Sequence, residues 1–136
     1  MAILKAFKGL RPPVEIVKQL ASRPYDVLNS DEAREEVKGN PNSFLHVVKP
    51  EVELPLDVDL HSDIVYNKAK QNLKKLISDG MFVQDKDECL YIYAQTMKGR
   101  TQFGIVGCAS VSDYLDGIIK KHELTRPDKE QDRMIH

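Results

Sequence analysis

What this sequence lacks narrows its chemistry first. It contains no G-x-x-x-x-G-K-[ST] loop, no G-x-G-x-x-G turn, no H-E-x-x-H helix and no G-x-S-x-G elbow. The common devices for cradling phosphates, dinucleotides or zinc, or for raising a serine nucleophile, are therefore missing. Only two cysteines occur, Cys89 and Cys108; they make neither a disulfide framework nor zinc-ligand spacing, which fits a reducing cytoplasm. No apolar run approaches the ~20 residues of a membrane helix, and Met1-Ala2-Ile3-Leu4-Lys5 lacks the apolar core of a secretory signal. Nor is charge of one sign in excess: 20 Lys and Arg face 21 Asp and Glu, for a net charge of −1. That balance opposes a general nucleic-acid binder. With 41% hydrophobic and 30% charged residues in 136, the chain reads as a single cytoplasmic domain over residues 1–136, long enough for a real core.

The patterns that are present predict alternating short elements. Residues 2–7 read as a strand. Pro12 and Pro13 open a helix over about 14–21, and Arg23-Pro24-Tyr25-Asp26-Val27 reads as an extended crossing segment. Asn29 with Glu32 three residues later resembles a capping box for a helix through Val37, stopped by Gly39-Asn40-Pro41. Residues 43–48 read as a buried strand, in which His46 is more often a satisfied core histidine than a ligand. The longest helix is expected over 62–79, with Tyr66, Ala69, Leu73 and Leu76-Ile77 as its apolar stripe and Gly80 just past its end.

Residues 81–83 return to sheet, and 89–96 with 101–109 form a hairpin. Its loop is expected to be Met97-Lys98-Gly99, since a two-residue type I′ turn would force positive φ on Lys98. Thr96 would then face Arg100, Tyr93 would face Phe103, and Cys89 would face Gly107, so no disulfide joins the cysteines. Gly104 and Gly107 suggest a close neighbour, and the alternating Tyr91 and Tyr93 are a packing signal before a base-stacking one. Ser110 with Asp113 caps a helix carrying Val111, Leu115, Ile118 and His122 on one face. The expected fold is α+β (mixed α/β), with a mixed sheet of four or five strands, a hairpin in the C-terminal half and four or five flanking helices.

Three polar islands are candidates for chemistry. Arg11-Pro12-Pro13 and Arg23-Pro24-Tyr25-Asp26 bracket one helix, while Asn40-Pro41-Asn42-Ser43 leads into the apolar run. The densest island is 120–133, where Pro127 divides two helical stretches and leaves His122, Glu123 and Thr125 at their corner. Unpaired N–H groups at such a corner can meet an anion. Lys129 and Arg133, four apart, share a helical face, and an arginine fork with a lysine suits a phosphate or carboxylate. The expectation is that 23–26 and 122–133 share one side of the domain as half of an anion site. Two plainer readings stand beside it: a solvated helix pair, and Arg23 paired with Asp26 or a neighbouring acid. Arg126 stands where a second zinc histidine would be needed after His122-Glu123, so no metal site is expected.

The wording of the chain carries a resemblance. Phe7-Lys8-Gly9-Leu10-Arg11-Pro12, Arg23-Pro24-Tyr25-Asp26-Val27, Asn40-Pro41 with Ser43-Phe44-Leu45-His46-Val47, and Lys49-Pro50-Glu51 occur in that order. Gln102-x-Gly104-Ile105-Val106 and Lys121-His122-Glu123-x-Thr125 with Lys129-Glu130-x-Asp132-Arg133 follow. In this wording the whole chain resembles the N-terminal part of the bacterial and archaeal family called domain of unknown function 1015. The resemblance implies kinship with the ParB/sulfiredoxin superfamily, which includes free-serine kinases, and a role in serine or phosphoserine metabolism.

Family members are longer and carry a D-G-H-H-R phosphate motif that is absent from this sequence. The expectation is therefore a fragment, inactive alone, whose partner is the missing C-terminal part. On a phosphoryl-transfer reading, Asp26 or Glu123 orients or deprotonates a serine hydroxyl and His122 donates to an oxyanion. Arg11, Arg23, Tyr25, Thr125, Lys129, Asp132 and Arg133 would hold the phosphate ligand, with ADP or ATP and magnesium as cofactors in the full-length protein. The competing class is a non-catalytic binding or regulatory module that docks to the rest of its own chain or to a partner. A DNA-associated ParB-like protein ranks third, because charge and the lack of a helix-turn-helix oppose it.

Overall fold

A computed structural model describes residues 1–120. The candidates His122, Glu123, Thr125, Lys129, Asp132 and Arg133 lie outside the described residues. In chain order the elements are β1 (Leu4–Lys5), β2 (Leu10–Arg11), α1 (Val17–Leu20), a 3-10 turn (Tyr25–Val27), α2 (Ser30–Val37), α3 (Leu45–Val48), a second 3-10 turn (Pro50–Glu53) and α4 (Asp63–Ser78). Then come β3 (Val83–Gln84), β4 (Tyr91–Met97), β5 (Arg100–Val106), β6 (Cys108–Ala109) and α5 (Val111–Leu115). The α+β class is as the sequence predicts. The single mixed sheet is not: the strands form three two-stranded pairs, β1 with β6, β2 with β3 and β4 with β5. The chain divides into two compact units, Arg11–Val83 and the Met1–Leu10 segment with the chain from Gln84 onward.

In the first, helical unit, local signals place the ends of the elements. The α2 capping box closes in both directions, since Glu32 N–H donates to Asn29 Oδ1 and Asn29 N–H donates to the Glu32 carboxylate, each at 2.9 Å. At the far end of α4, Met81 N–H reaches Leu76 O at 2.9 Å and Gly80 N–H reaches Ile77 O at 3.1 Å. Gly80 sits at φ +75°, so this is a Schellman stop and needs the one residue without a Cβ penalty. The core is Leu28, Ala33 and Leu45, flanked by Val37 and Val52. The buried stripe of α4 is Val65, Asn72 and Leu76 rather than Tyr66, Leu73 and Ile77. The helix is turned about its axis so that Asn72 faces inward onto hydrogen-bond partners.

Two predicted extended segments here are helical turns. Residues 43–48 are no strand: Leu45–Val48 is one turn of α-helix, begun by Leu45 N–H donating to Ser43 Oγ at 3.3 Å. A short apolar run fits a buried strand and a buried helical turn equally well. Turns flank it on both sides, Asn40 to Ser43 (N···O 3.3 Å) and Pro50–Glu53, and its one inward side chain, Leu45, is buried against Leu28 and Ala33. Likewise Arg23-Pro24-Tyr25-Asp26-Val27 is not an extended crossing. Pro24 is extended at ψ 141°, but Tyr25–Val27 curl into a 3-10 turn with Val27 N–H on Pro24 O at 3.2 Å. Proline constrains the residue before it, not those after it. The helix after Pro13 is shorter than expected, only Val17–Leu20.

In the second unit, β4 and β5 pair Met97 with Arg100, Thr96 with Thr101, Ala94 with Phe103 and Tyr93 with Gly104. The predicted register is therefore wrong by one residue. The loop is the two-residue Lys98-Gly99 turn, with φ +50° and +76°, the type I′ geometry whose twist matches the strands. Positive φ on Lys98 costs about 1–2 kcal/mol, but it extends the ladder to seven pairs and brings Thr96 Oγ1 to 2.8 Å from Thr101 Oγ1. Weighing the turn residue alone misses that return. The two cysteines are free; Cys108 pairs with Lys5 and Cys89 with Phe7.

A Cβ on Gly107 would lie 2.8 Å from Leu90 and 3.0 Å from Leu4, a close approach as the sequence suggests, whereas Gly104 has open space around it. Ser110 does cap α5, accepting from Asp113 N–H at 3.4 Å. The Asp113 carboxylate reaches instead to Ile3 N–H at 2.7 Å. The helix ends at Leu115, before Ile118, where Gly117 turns the chain at φ +72°; His122 lies outside the described residues. Val111 and Leu115 are exposed.

Candidate functional site

The proline-bracketed residues are placed in the helical unit. Arg11 lies in β2, and Tyr25 and Asp26 lie in the exposed 3-10 turn. Arg23 donates through Nε to Glu36 Oε2 at 2.6 Å, and its Nη2 pairs with the same carboxylate. Arg23 is paired with an acid, as in its plainer sequence reading, but the acid is Glu36, 13 residues along the chain, and not Asp26. Glu36 thus offsets the charge that an anion site would have used.

A denser polar cluster lies where α3, the Pro50–Glu53 turn and α4 meet. Glu53 Oε1 is 2.6 Å from His46 Nδ1 and 2.9 Å from Asn72 Nδ2, and Glu53 Oε2 is 2.5 Å from Lys68 Nζ. Asn72 also donates to His46 O at 2.6 Å. Burial pushes the Glu53 carboxyl up, but hydrogen bonds and charge from Lys68 and His46 outweigh it and hold the group below its ordinary value. His46 Nε2 faces Asn40 O at 3.1 Å. Both ring nitrogens are thus engaged, one by a carboxylate and one by a backbone carbonyl, leaving no nitrogen to exchange a proton with a substrate. The arrangement clamps three elements together. Beside it a cleft of about 310 Å³ is lined by Pro41, His46, Glu53, Lys68, Asn72 and Lys75. Among the described residues no group of three or more His, Cys, Asp or Glu is placed to hold a metal ion.

Other residues in the resemblance are also engaged internally. Asn40 Nδ2 donates to Gln19 O at 2.7 Å. Buried Glu51 receives Lys49 Nζ at 3.2 Å and Ser30 Oγ at 3.1 Å, and its carbonyl takes Arg34 Nη2 at 2.9 Å. Gly9 is required because Tyr91 Oη stands 2.6 Å from its N–H and would meet an added Cβ at 2.5 Å. The Tyr91 hydroxyl donates to Asp85 at 2.6 Å, and that bond raises its pKa. Its ring packs on Phe7 with centroids 5.0 Å apart, so Tyr91 is a packing residue.

Among the surfaces open to solvent, the hairpin carries a run of apolar residues on one face. The register places Ile92, Ala94, Thr96, Thr101, Phe103 and Ile105 on one face. None carries a charge. Ile92 is 79% exposed, and Phe103 and Ile105 are each 70% exposed. Sequence reasoning identified the hairpin but not this face, since the alternation that fits a half-buried strand is the same whether or not anything covers it.

In comparison with known proteins, the family model described as Protein of unknown function (DUF1015) fits residues 4–136. No curated protein and no solved structure matches the chain. Among the described residues no helix is long and apolar enough to cross a membrane.

Proposed function

The chain belongs to the DUF1015 family, and from that premise we propose that this part of the protein is a binding module that docks another polypeptide surface on its β4–β5 hairpin. The observation that supports this reading is the uncharged face bearing Ile92, Phe103 and Ile105 in solvent. A two-stranded hairpin is marginal in water by itself, and contiguous exposed apolar surface marks an interaction site. The internal engagement of His46, Glu51, Arg23 and Asn40 fits a scaffold that positions a surface. Replacing Ile92 and Phe103 together with serine should abolish binding of a hydrophobic-surface dye while the melting temperature, taken at a dilution where the chain is monomeric, stays nearly constant, since exposed substitutions change stability by about 0.5 kcal/mol or less. A loss of several degrees would show the face is already covered within the chain and would overturn the reading.

A second reading follows the resemblance: phosphoryl transfer in serine or phosphoserine metabolism, with ADP or ATP and magnesium, kinship to ParB/sulfiredoxin proteins, and completion by a C-terminal part. One observation favours it. The 310 Å³ cleft is lined by two lysines, Lys68 paired with Glu53 and Lys75 with the exposed carboxylate of Asp79 at 2.6 Å, and a small anion that displaced Asp79 would find both ammonium groups within one cleft. Thermal shift with ADP, ATP, serine and phosphoserine tests it. Phosphoserine should raise the melting temperature, and Lys75→Gln should abolish the rise. Equal melting with and without every ligand, on this chain and on the full-length protein, counts against it.

A further inference from the structure

Resting on the docking reading, we infer that the occupant of the hairpin is a second copy of this chain, added edge to edge along β5. The argument begins with the direction of the backbone groups. In a two-residue hairpin the residues flanking the turn, Met97 and Arg100, form a hydrogen-bonded pair, and bonded and non-bonded pairs then alternate along an antiparallel ladder. Gln95 with Gln102 and Tyr93 with Gly104 are therefore bonded pairs. Thr96 with Thr101, Ala94 with Phe103 and Ile92 with Ile105 are the non-bonded ones. The short 2.8 Å contact between the Thr96 and Thr101 hydroxyls fits that assignment, because side chains stand closer in non-bonded pairs.

The amides of these six residues consequently point away from the partner strand, three along each outer edge. They are also the six residues of the uncharged face. Among the described residues neither edge has a third strand. Natural edges are usually protected by lysine, proline, a bulge or brevity. Here β4 has no charged residue and no proline over seven residues, and β5 has one charge, Arg100, at its end.

Of the two edges, β5 is the self-complementary one. A two-fold axis at Phe103 sets Phe103 against Phe103 of the second copy, and Thr101 against its Ile105, twice. All of these carry outward amides, so six backbone hydrogen bonds form. Arg100 falls opposite Val106 of the second copy, so no like charges meet. The seam gains an aromatic cross-strand pair, and the apolar faces merge across four strands, enough for a stable sheet where two strands are not. The same operation on β4 would set Ala94 against Ala94, without that contact.

The test uses the whole chain with Cys89 and Cys108 changed to serine. Sedimentation over a wide concentration range should show the mass rising to twice the monomer value. Under mild oxidation Phe103→Cys should form an interchain disulfide, and Ala94→Cys should not. As the new cysteine itself removes the aromatic ring, Thr101→Cys combined with Ile105→Cys provides the same crosslink with Phe103 intact. Monomer mass at every concentration overturns the second copy as occupant, and crosslinking of Ala94→Cys as efficient as Phe103→Cys overturns the β5 seam. A chain that stays monomeric but binds the dye through Ile92 and Phe103 keeps the docking reading with a different partner. A monomer that binds no dye removes both.

Discussion

Leu45→Ala should lower the unfolding free energy by about 2–5 kcal/mol, the range for deleting a buried leucine and leaving part of its volume empty. Leu45 is 0% exposed and lies against Leu28 and Ala33, with Val37 and Val52 alongside. It stands on a single turn of helix, so little surrounding structure can close around the gap. Urea unfolding followed by circular dichroism should show a lower midpoint with an unchanged slope. Val48→Ala makes the contrast. Val48 is one turn further along α3 and exposed to solvent, so its truncation should cost a few tenths of a kcal/mol. Comparable losses at both positions would mean that Val48 is not at the open end of the helical turn.

The second large effect is expected at the clamp. Glu53→Gln keeps the shape but removes the charge that Lys68 and His46 face, and should cost about 1.5–3 kcal/mol at neutral pH, the range for hydrogen bonds to charged groups. Its pH dependence gives the mechanism away. The folded-state pKa of Glu53 is lowered, despite the upward push of burial, by Lys68 and His46. A depressed carboxyl contributes stability that is fully present above its unfolded value of roughly 4.3 and is lost as pH falls through the folded value. The difference between wild type and Glu53→Gln should therefore be present at pH 6 and shrink steadily as the pH falls below about 4. A difference that ignores pH would show that shape, not charge, holds α3, the Pro50–Glu53 turn and α4 together.

The elements legible in the sequence are those set by neighbours along the chain. The Asn29 and Glu32 capping box, the α4 helix with its glycine stop and the Ser110 cap all rest on hydrogen bonds that reach no more than a few residues, and the hairpin is signalled by two β-rich runs flanking one short turn. The candidate site was less legible. Arg23 could be matched to a neighbouring acid in principle, but its choice of Glu36, 13 residues away, needed the fold. The sequence identifies His46 as a satisfied histidine but places it on a strand, where the structure has a helical turn. The Glu53, Lys68 and Asn72 partners that satisfy it carry no local pattern, since they come from a turn and a helix further along the chain.

By itself the sequence determined the long helix and the local caps, because each depends on residues within one turn of one another, and the α+β class and the family wording, because these follow from the order of local segments along the chain. Tertiary structure decided whether the 43–48 run coils or extends, which face of α4 turns inward, and which two residues make the hairpin turn. It also decided that the strands stay in separate pairs, leaving an uncharged face on β4 and β5 in solvent. In each case the local preferences differ by about a kcal/mol or two. The burial of a leucine, a satisfied asparagine, or a ladder extended to seven pairs is worth as much or more, and none of these can be counted until distant parts of the chain have met.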